Sequence, residues 1–146
     1  MDEYEKSEGL PPDTSAIVKL YVEESGTQIV REEVEKAEVV ATSRIAYVEA
    51  RAGFSRKLRE GELKKREHRQ VVEDFERDWV NYFIMEISEE VARLSGSLTE
   101  GHPLKGFDAL HLASALILQD QIRSSVYFLC FDKRLKRAAQ AEGLQG

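Results

Sequence analysis

The chain has 146 residues, 42% hydrophobic and 33% charged, a composition typical of one folded globular domain and not of a disordered chain. No apolar run approaches the roughly 18 residues that a membrane-spanning helix needs, and the acidic first 12 residues lack the apolar core of a secretory signal. The single cysteine, Cys130, excludes an internal disulfide framework and a zinc site built on several thiolates, and it favours a cytoplasmic location.

Charge is unevenly distributed along the chain. The net charge is −6, from 27 acidic and 21 basic residues, which argues against a general nucleic-acid coat protein. Between Arg51 and Arg69, however, eight Lys or Arg and three Glu give a local charge of +5, so the rest of the chain carries −11. This basic segment could hold a phosphate backbone, and a solvated helix hairpin explains the same pattern.

The order of the predicted elements indicates an α/β fold. Residues 1–12 read as an acidic arm before a single domain at 13–146. Helices are predicted over 17–22, 27–37, 62–78 and 108–119, with others beginning near 43, 88 and 132. Buried strands are predicted over 38–43, 79–87 and 126–131. Strands that alternate with helices, and that are apolar along their whole length, favour a mainly parallel sheet.

The helix that begins near residue 43 carries a candidate functional glutamate. Ile45, Val48 and Ala52 have the spacing of a stripe that packs on a core. Glu49 follows Ile45 by four residues and is therefore expected on the same stripe. A carboxylate there costs free energy unless it is paired or binds a cation, so it indicates either an ion pair with an arginine or a metal ligand.

Three aspartates accompany Glu49 at positions where the chain changes direction. Asp13 precedes the first helix, Asp108 begins a buried helix, and Asp132 follows the last predicted strand. Each is also explained as a helix N-cap. Functional groups collect at the carboxyl ends of parallel strands, so the four carboxylates predict a negatively charged cluster. Such a cluster favours a cation, and its hard oxygen ligands suit Mg²⁺ or Mn²⁺ better than Zn²⁺.

Four sequence stretches point to a known family when they are taken together. They are DTSAIVKLY at 13–21, SRIAYVEA at 43–50, HPLKGFDALHLASAL at 102–116, and FLCFDKRL at 128–135, the last followed by Ala138-Ala139 and Gly143-Leu144. In this order they resemble the PIN-domain nucleases, especially the VapC toxin branch. The resemblance covers about residues 13–144, and it implies a three-layer α/β/α arrangement in which helices flank the parallel sheet.

The resemblance implies a metal-dependent endoribonuclease that acts as the toxin of a VapBC-type toxin–antitoxin pair. It implies that Asp13, Glu49, Asp108 and Asp132 hold Mg²⁺ or Mn²⁺ and form the catalytic site. It also implies an RNA substrate, a cognate antitoxin protein, a homodimer and no association with a membrane. Ser15 is a candidate for a hydrogen bond to the metal site or substrate, and it is equally well explained as an ordinary helix cap.

Arg56 is a second candidate for substrate binding, since it follows Glu49 by two helical turns on nearly the same helix face. It could contact a substrate phosphate. An ion pair with Glu60 or with the antitoxin explains the same residue equally well.

One departure from the family pattern supports an alternative. PIN domains normally begin with a short apolar strand that ends at the first aspartate, whereas residues 7–12 here include Pro11 and Pro12, which disfavour an ordinary central strand. The alternative is a catalytically impaired PIN domain that binds RNA or protein. A phosphatase or receiver domain is disfavoured, because Asp13-Thr14-Ser15 lacks the second aspartate of an Asp-x-Asp motif and no receiver-type lysine loop is evident.

Overall fold

The computed structural model describes residues 16–146, so Asp13, Ser15 and the predicted arm at 1–12 lie outside the described residues. The predicted domain limits therefore stay a prediction. The described helices are α1 (Ala16–Tyr21), α2 (Thr27–Lys36), α3 (Ile45–Arg59), α4 (Lys65–Trp79), α5 (Glu89–Gly101), α6 (Gly106–Ile122) and α7 (Lys133–Ala141). The described strands are β1 (Ala41–Ser43) and β2 (Phe83–Met85). Each predicted helix is present.

The sheet is shorter than the sequence predicts. Val40 O accepts a hydrogen bond from Phe83 N at 2.9 Å and Met85 O accepts one from Arg44 N at 3.0 Å, so β1 and β2 run parallel. The prediction of a buried strand over 38–43 is wrong at Val39, which is 66% exposed. The α/β class is confirmed, with two short strands among the described residues.

The prediction of a strand over 126–131 is wrong. Within the described residues this segment forms only an isolated parallel bridge between Tyr127 and Gln145. Phe128 N donates to Gln145 O at 2.7 Å, so the backbone here bonds to the end of the chain. An apolar run identifies a segment with buried side chains, but it does not identify a backbone partner. The prediction over 79–87 is wrong at its start, because Trp79 belongs to α4.

The described residues form two compact units. The first unit comprises residues 42–45 and 84–146. Within it α5 packs against α6, and Ser88 caps α5 by accepting a hydrogen bond from Val91 N at 3.1 Å. Its core includes Met85, Val91, Leu98, Ala109, Leu112, Ala113, Leu135 and Ala138. The cap fixes where α5 begins, and burial of this apolar surface holds α5, α6 and α7 in the first unit.

The second unit comprises residues 16–41 and 46–83 of the described chain. Its core contains Val18, Val22, Ala50, Phe54, Val71 and Phe75. Phe75 lies at its centre, with its ring centroid 5.5 Å from those of both Tyr21 and Phe54 in edge-on packing. Such aromatic pairs add to the burial of apolar area, so they hold α1, α3 and α4 together.

The predicted core stripe on α3 is wrong. Val48 is 61% exposed and Ala52 is also exposed, whereas the buried residues of the helix are Ala46, Ala50, Gly53 and Phe54. Gly53 lies so close to α1 that a Cβ atom on it would be 2.9 Å from Val18 Cγ2. The small side chains let α3 approach its neighbour, and this close packing outweighs the burial that Val48 would gain on the other face.

Candidate active site

Asp132 caps helix α7. Its Oδ1 accepts a hydrogen bond from Leu135 N at 3.0 Å, which satisfies one of the free backbone N–H groups of the first turn. The carboxylate is half-buried. Its Oδ2 makes no hydrogen bond to any residue of the described range 16–146. The N-cap prediction is confirmed for Asp132, and one carboxylate oxygen is left for another ligand.

Asp108 is not an N-cap, so that alternative explanation is wrong for this residue. The N-cap of α6 is Lys105, and Asp108 is the third residue of the helix. A carboxylate in the first turn is favoured by the partial positive charge at the helix N-terminus. The next residue, Ala109, and Leu112 are fully buried, so the helix that carries Asp108 is held firmly by its own core.

The negative charges of Asp108 and Asp132 both influence the thiol of Cys130. Burial raises the pKa of Cys130 to about 12, while the positive charge of Lys136 lowers it and the negative charges of Asp132 and Asp108 raise it. Both carboxylates therefore act on the same sulfur atom. Asp108 and Asp132, two of the four predicted carboxylates, thus share an electrostatic effect on Cys130, which Lys136 opposes.

The other two predicted carboxylates are placed differently. Glu49 is half-buried on α3 in the second unit, and it precedes the fully buried Ala50. Arg56 is also half-buried, two turns further along α3. Asp13 and Ser15 lie outside the described residues. Within residues 16–146, no group of three or more His, Cys, Asp or Glu side chains is arranged to hold a metal ion.

The donor chemistry of the first unit fits a hard divalent cation. Asp108 and Asp132 offer carboxylate oxygens, the donors that Mg²⁺ and Mn²⁺ prefer. The Cys130 thiol is protonated at neutral pH because its pKa is raised to about 12, and thiols bind metals as thiolates. A soft metal centred on this sulfur is therefore disfavoured.

The second unit contains a buried ion-pair network that the sequence did not predict. Lys19 on α1, only 3% exposed, donates to Glu24 Oε1 at 3.1 Å and to Ser25 O at 2.6 Å. Lys57 on α3 reaches the other oxygen of Glu24 at 2.9 Å. Burial acts to lower the pKa of Lys57, but Glu24 and Glu62 outweigh it and the pKa is raised. The network joins the last turn of α1 and the loop after it to α3, and a lysine inside the apolar run 17–20 was its signal.

The PIN domain family model matches residues 12–141 of this chain. The chain therefore belongs to the PIN domain family, and the resemblance drawn from its four motifs is confirmed. The chain is 33% identical over 135 residues to the protein named Ribonuclease VapC45 of Mycobacterium tuberculosis (strain CDC 1551 / Oshkosh). This alignment covers 90% of the chain and 89% of that relative. Ribonuclease VapC49 of Mycobacterium tuberculosis (strain ATCC 25618 / H37Rv) matches with the same identity and coverage.

Within residues 16–146, no helix combines the length and apolar character needed to cross a membrane.

Proposed function

We propose that this PIN-domain protein is a metal-dependent endoribonuclease and the toxin of a VapBC-type toxin–antitoxin pair. The observation that carries the proposal is that Asp108, in the first turn of α6, and Asp132, at the N-cap of α7, both act through their negative charge on the Cys130 thiol. The relatives named Ribonuclease VapC45 and VapC49 support the choice of RNA as substrate.

Four carboxylates would hold one or two Mg²⁺ or Mn²⁺ ions: Asp13, Glu49, Asp108 and Asp132. When bound, such an ion lowers the pKa of water and stabilises negative charge at the phosphate during hydrolysis. The described residues prepare the site for this role. Asp132 keeps Oδ2 available because only Oδ1 is used in the cap of α7, and Asp108 is held by a helix whose following residues are buried.

Two further residues are proposed to contact substrate. The planar guanidinium of Arg56 suits a phosphate group. It lies on α3 with Glu49, so a phosphate bound by Arg56 would be oriented by the same helix that carries a catalytic carboxylate. Ser15, two positions after Asp13 in the sequence, supplies a hydroxyl suited to a hydrogen bond with the metal site or the substrate.

The proposal extends to partners and location. The carboxylate cluster would attract a basic segment of a cognate antitoxin, and the protein would act as a homodimer. A cytoplasmic location is supported by the single cysteine, which lies half-buried as a free thiol. We also propose that residues 13–146 act as one domain.

Cleavage of a mixed RNA pool tests the proposal. The wild type is expected to cut RNA with Mn²⁺ or Mg²⁺ and not with EDTA, and Asp108→Asn is expected to lose about 100-fold in rate, because a metal site supplies several kcal/mol. Asp120→Asn is the matched control, since Asp120 lies on the same helix and is exposed. Equal cleavage by Asp108→Asn and Asp120→Asn would refute the site.

A second candidate function rests on Pro11 and Pro12, which occupy the place of the usual first strand. In this case the protein would bind RNA or protein without cutting RNA. Retained RNA binding with no metal-dependent cleavage of the pool would favour this candidate.

A further inference from the structure

The corner between α3 and α4 carries a concentration of positive charge. Five side chains there form what we call the basic corner: Arg59, Lys64, Lys65, Arg66 and Arg69. All five are exposed. Gly61, with a φ of +82°, makes the turn that brings the end of α3 to the beginning of α4. Five of the eight cations of the basic segment 51–69 are therefore displayed at one corner of the second unit.

The cations of the basic corner differ in ion pairing from other exposed arginines of the protein. Arg77 pairs with Asp74 at 2.5 Å, and Arg93 pairs with Glu89 at 2.7 Å. In the part of the chain that the structure describes, none of the five side chains of the basic corner forms an ion pair with a carboxylate. Their positive charges are therefore available to an external anion.

The local backbone adds to this preference for anions. Lys64, Lys65 and Arg66 surround the N-terminus of α4, where the helix dipole is positive. Lys65 and Arg69 are one helical turn apart and so lie on the same side of the helix. Glu67 is the acidic residue between Lys64 and Arg69. Its carboxylate accepts a hydrogen bond from Lys64 N at 2.8 Å and therefore points at the backbone.

The surface chemistry distinguishes a nucleic acid from a protein partner. Of the large hydrophobic side chains that are exposed in residues 16–146, none lies between Val48 and Val80. Protein interfaces depend on buried aromatic or apolar anchors, whereas exposed Lys and Arg side chains are sufficient to bind a phosphate backbone. The rest of the chain carries −11, so a polyanion is repelled elsewhere and drawn to this corner.

We propose that the basic corner binds the phosphate backbone of the RNA substrate, through residues other than the carboxylates that carry out cleavage. This inference rests on the proposed ribonuclease function and adds to it a separate anchoring surface. It acts on substrate affinity and leaves the chemical step unchanged.

Salt-dependent RNA binding tests the proposal. The probe is a fluorescently labelled single-stranded RNA of mixed sequence, titrated into Asp108→Asn protein so that it is not cut. Adding Arg66→Gln and Arg69→Gln is expected to weaken binding about tenfold at low salt and to reduce the slope of log K against log salt by about 1.4, roughly 0.7 for each lost phosphate contact. Arg77→Gln with Arg93→Gln is the matched control and should leave both values unchanged.

The outcomes separate this inference from the proposed function. Cleavage by the otherwise wild-type protein, with Arg66→Gln and Arg69→Gln present, should show a raised KM and an unchanged kcat. If the wild type cleaves RNA but the corner variants bind RNA like the controls, the inference is overturned and the ribonuclease stands. If RNA binding depends on the corner but no RNA is cut, the ribonuclease falls and the inference stands.

An acidic protein partner is a further outcome of the same experiment. Poly-L-glutamate serves as the probe for it. Loss of poly-L-glutamate binding in the corner variants, with RNA binding unchanged, would overturn the RNA proposal. Thermal melts by circular dichroism should be equal for corner and control variants, because all these side chains are exposed.

Discussion

Asp132 Oδ1 accepts a hydrogen bond from Leu135 N at 3.0 Å. One carboxylate therefore begins helix α7 and still offers Oδ2 to a ligand. Leu135 itself is 5% exposed and belongs to the core of the first unit. The position of a proposed metal ligand is thus fixed by a core residue three positions further along the chain.

The two roles of Asp132 can be separated by substitution. Asn caps helices as well as Asp does but carries no charge, so Asp132→Asn should keep the thermal midpoint and lose Mn²⁺ affinity. Asp132→Ala should lose both, with a cost of about 1 kcal/mol in the free energy of unfolding. Urea unfolding and Mn²⁺ calorimetry provide the two measurements. Equal stability of the Asn and Ala variants would contradict the cap.

The buried ion pairs of the second unit predict that two neighbouring glutamates, Glu24 and Glu23, differ strongly in their contribution to the free energy of unfolding. Glu24→Gln removes a carboxylate paired with Lys19, which is 3% exposed, and should cost about 3 kcal/mol of unfolding free energy. Glu23→Gln is the control, because Glu23 and its partner Arg31 are 75% and 47% exposed and such pairs contribute less than about 1 kcal/mol. Similar losses in urea unfolding would refute the network's role.

The contact between α1 and α3 predicts opposite effects for two glycines. Gly53→Ala should lower the free energy of unfolding by about 1 kcal/mol, because the cost of overpacking against Val18 exceeds the gain in helix propensity. Gly96→Ala on α5, where the added Cβ meets nothing within 4 Å, should raise it by about 0.5–1 kcal/mol. A stabilising Gly53→Ala would show that Val18 moves freely.

Cys130 predicts a loss of stability at alkaline pH. Its folded pKa of about 12 lies above its ordinary value of 9.0, so its contribution is complete below pH 9 and is lost as pH rises towards 12. The difference in unfolding free energy between wild type and Cys130→Ala should fall over this range, with a slope that approaches about 1.4 kcal/mol per pH unit. Urea unfolding from pH 8 to 11 measures it. A constant difference would mean that the thiol is not shifted.

The helices could be predicted because their signals are local. Ser88 and Asp132 are capping residues that lie directly before their helices, and both cap as expected. The α3 face could not be predicted, because Val48 and Ala50 both fit a helical stripe. The choice between them depends on the close approach of Gly53 to Val18, which are 35 positions apart in the sequence.

The strands and the candidate site were harder to predict, because they too depend on residues that are far apart in the sequence. The run 126–131 is apolar, yet its backbone bonds to Gln145, a residue that no local pattern indicates. Asp108 and Asp132 could be selected from their positions before buried segments. Their shared electrostatic effect on the Cys130 thiol depends on the fold, because Asp108 is 24 positions from Asp132 in the sequence.

We propose that carboxylates from separate parts of the sequence form one metal site. A double-mutant cycle in Mn²⁺ affinity tests it most directly, with calorimetry on Glu49→Gln, Asp108→Asn, the double variant, and Asp120→Asn as control. We expect each single variant to weaken binding and the double variant to depart from the sum of the two effects, as for residues that share a partner. Unchanged affinity in both single variants, equal to that of Asp120→Asn, would contradict the account.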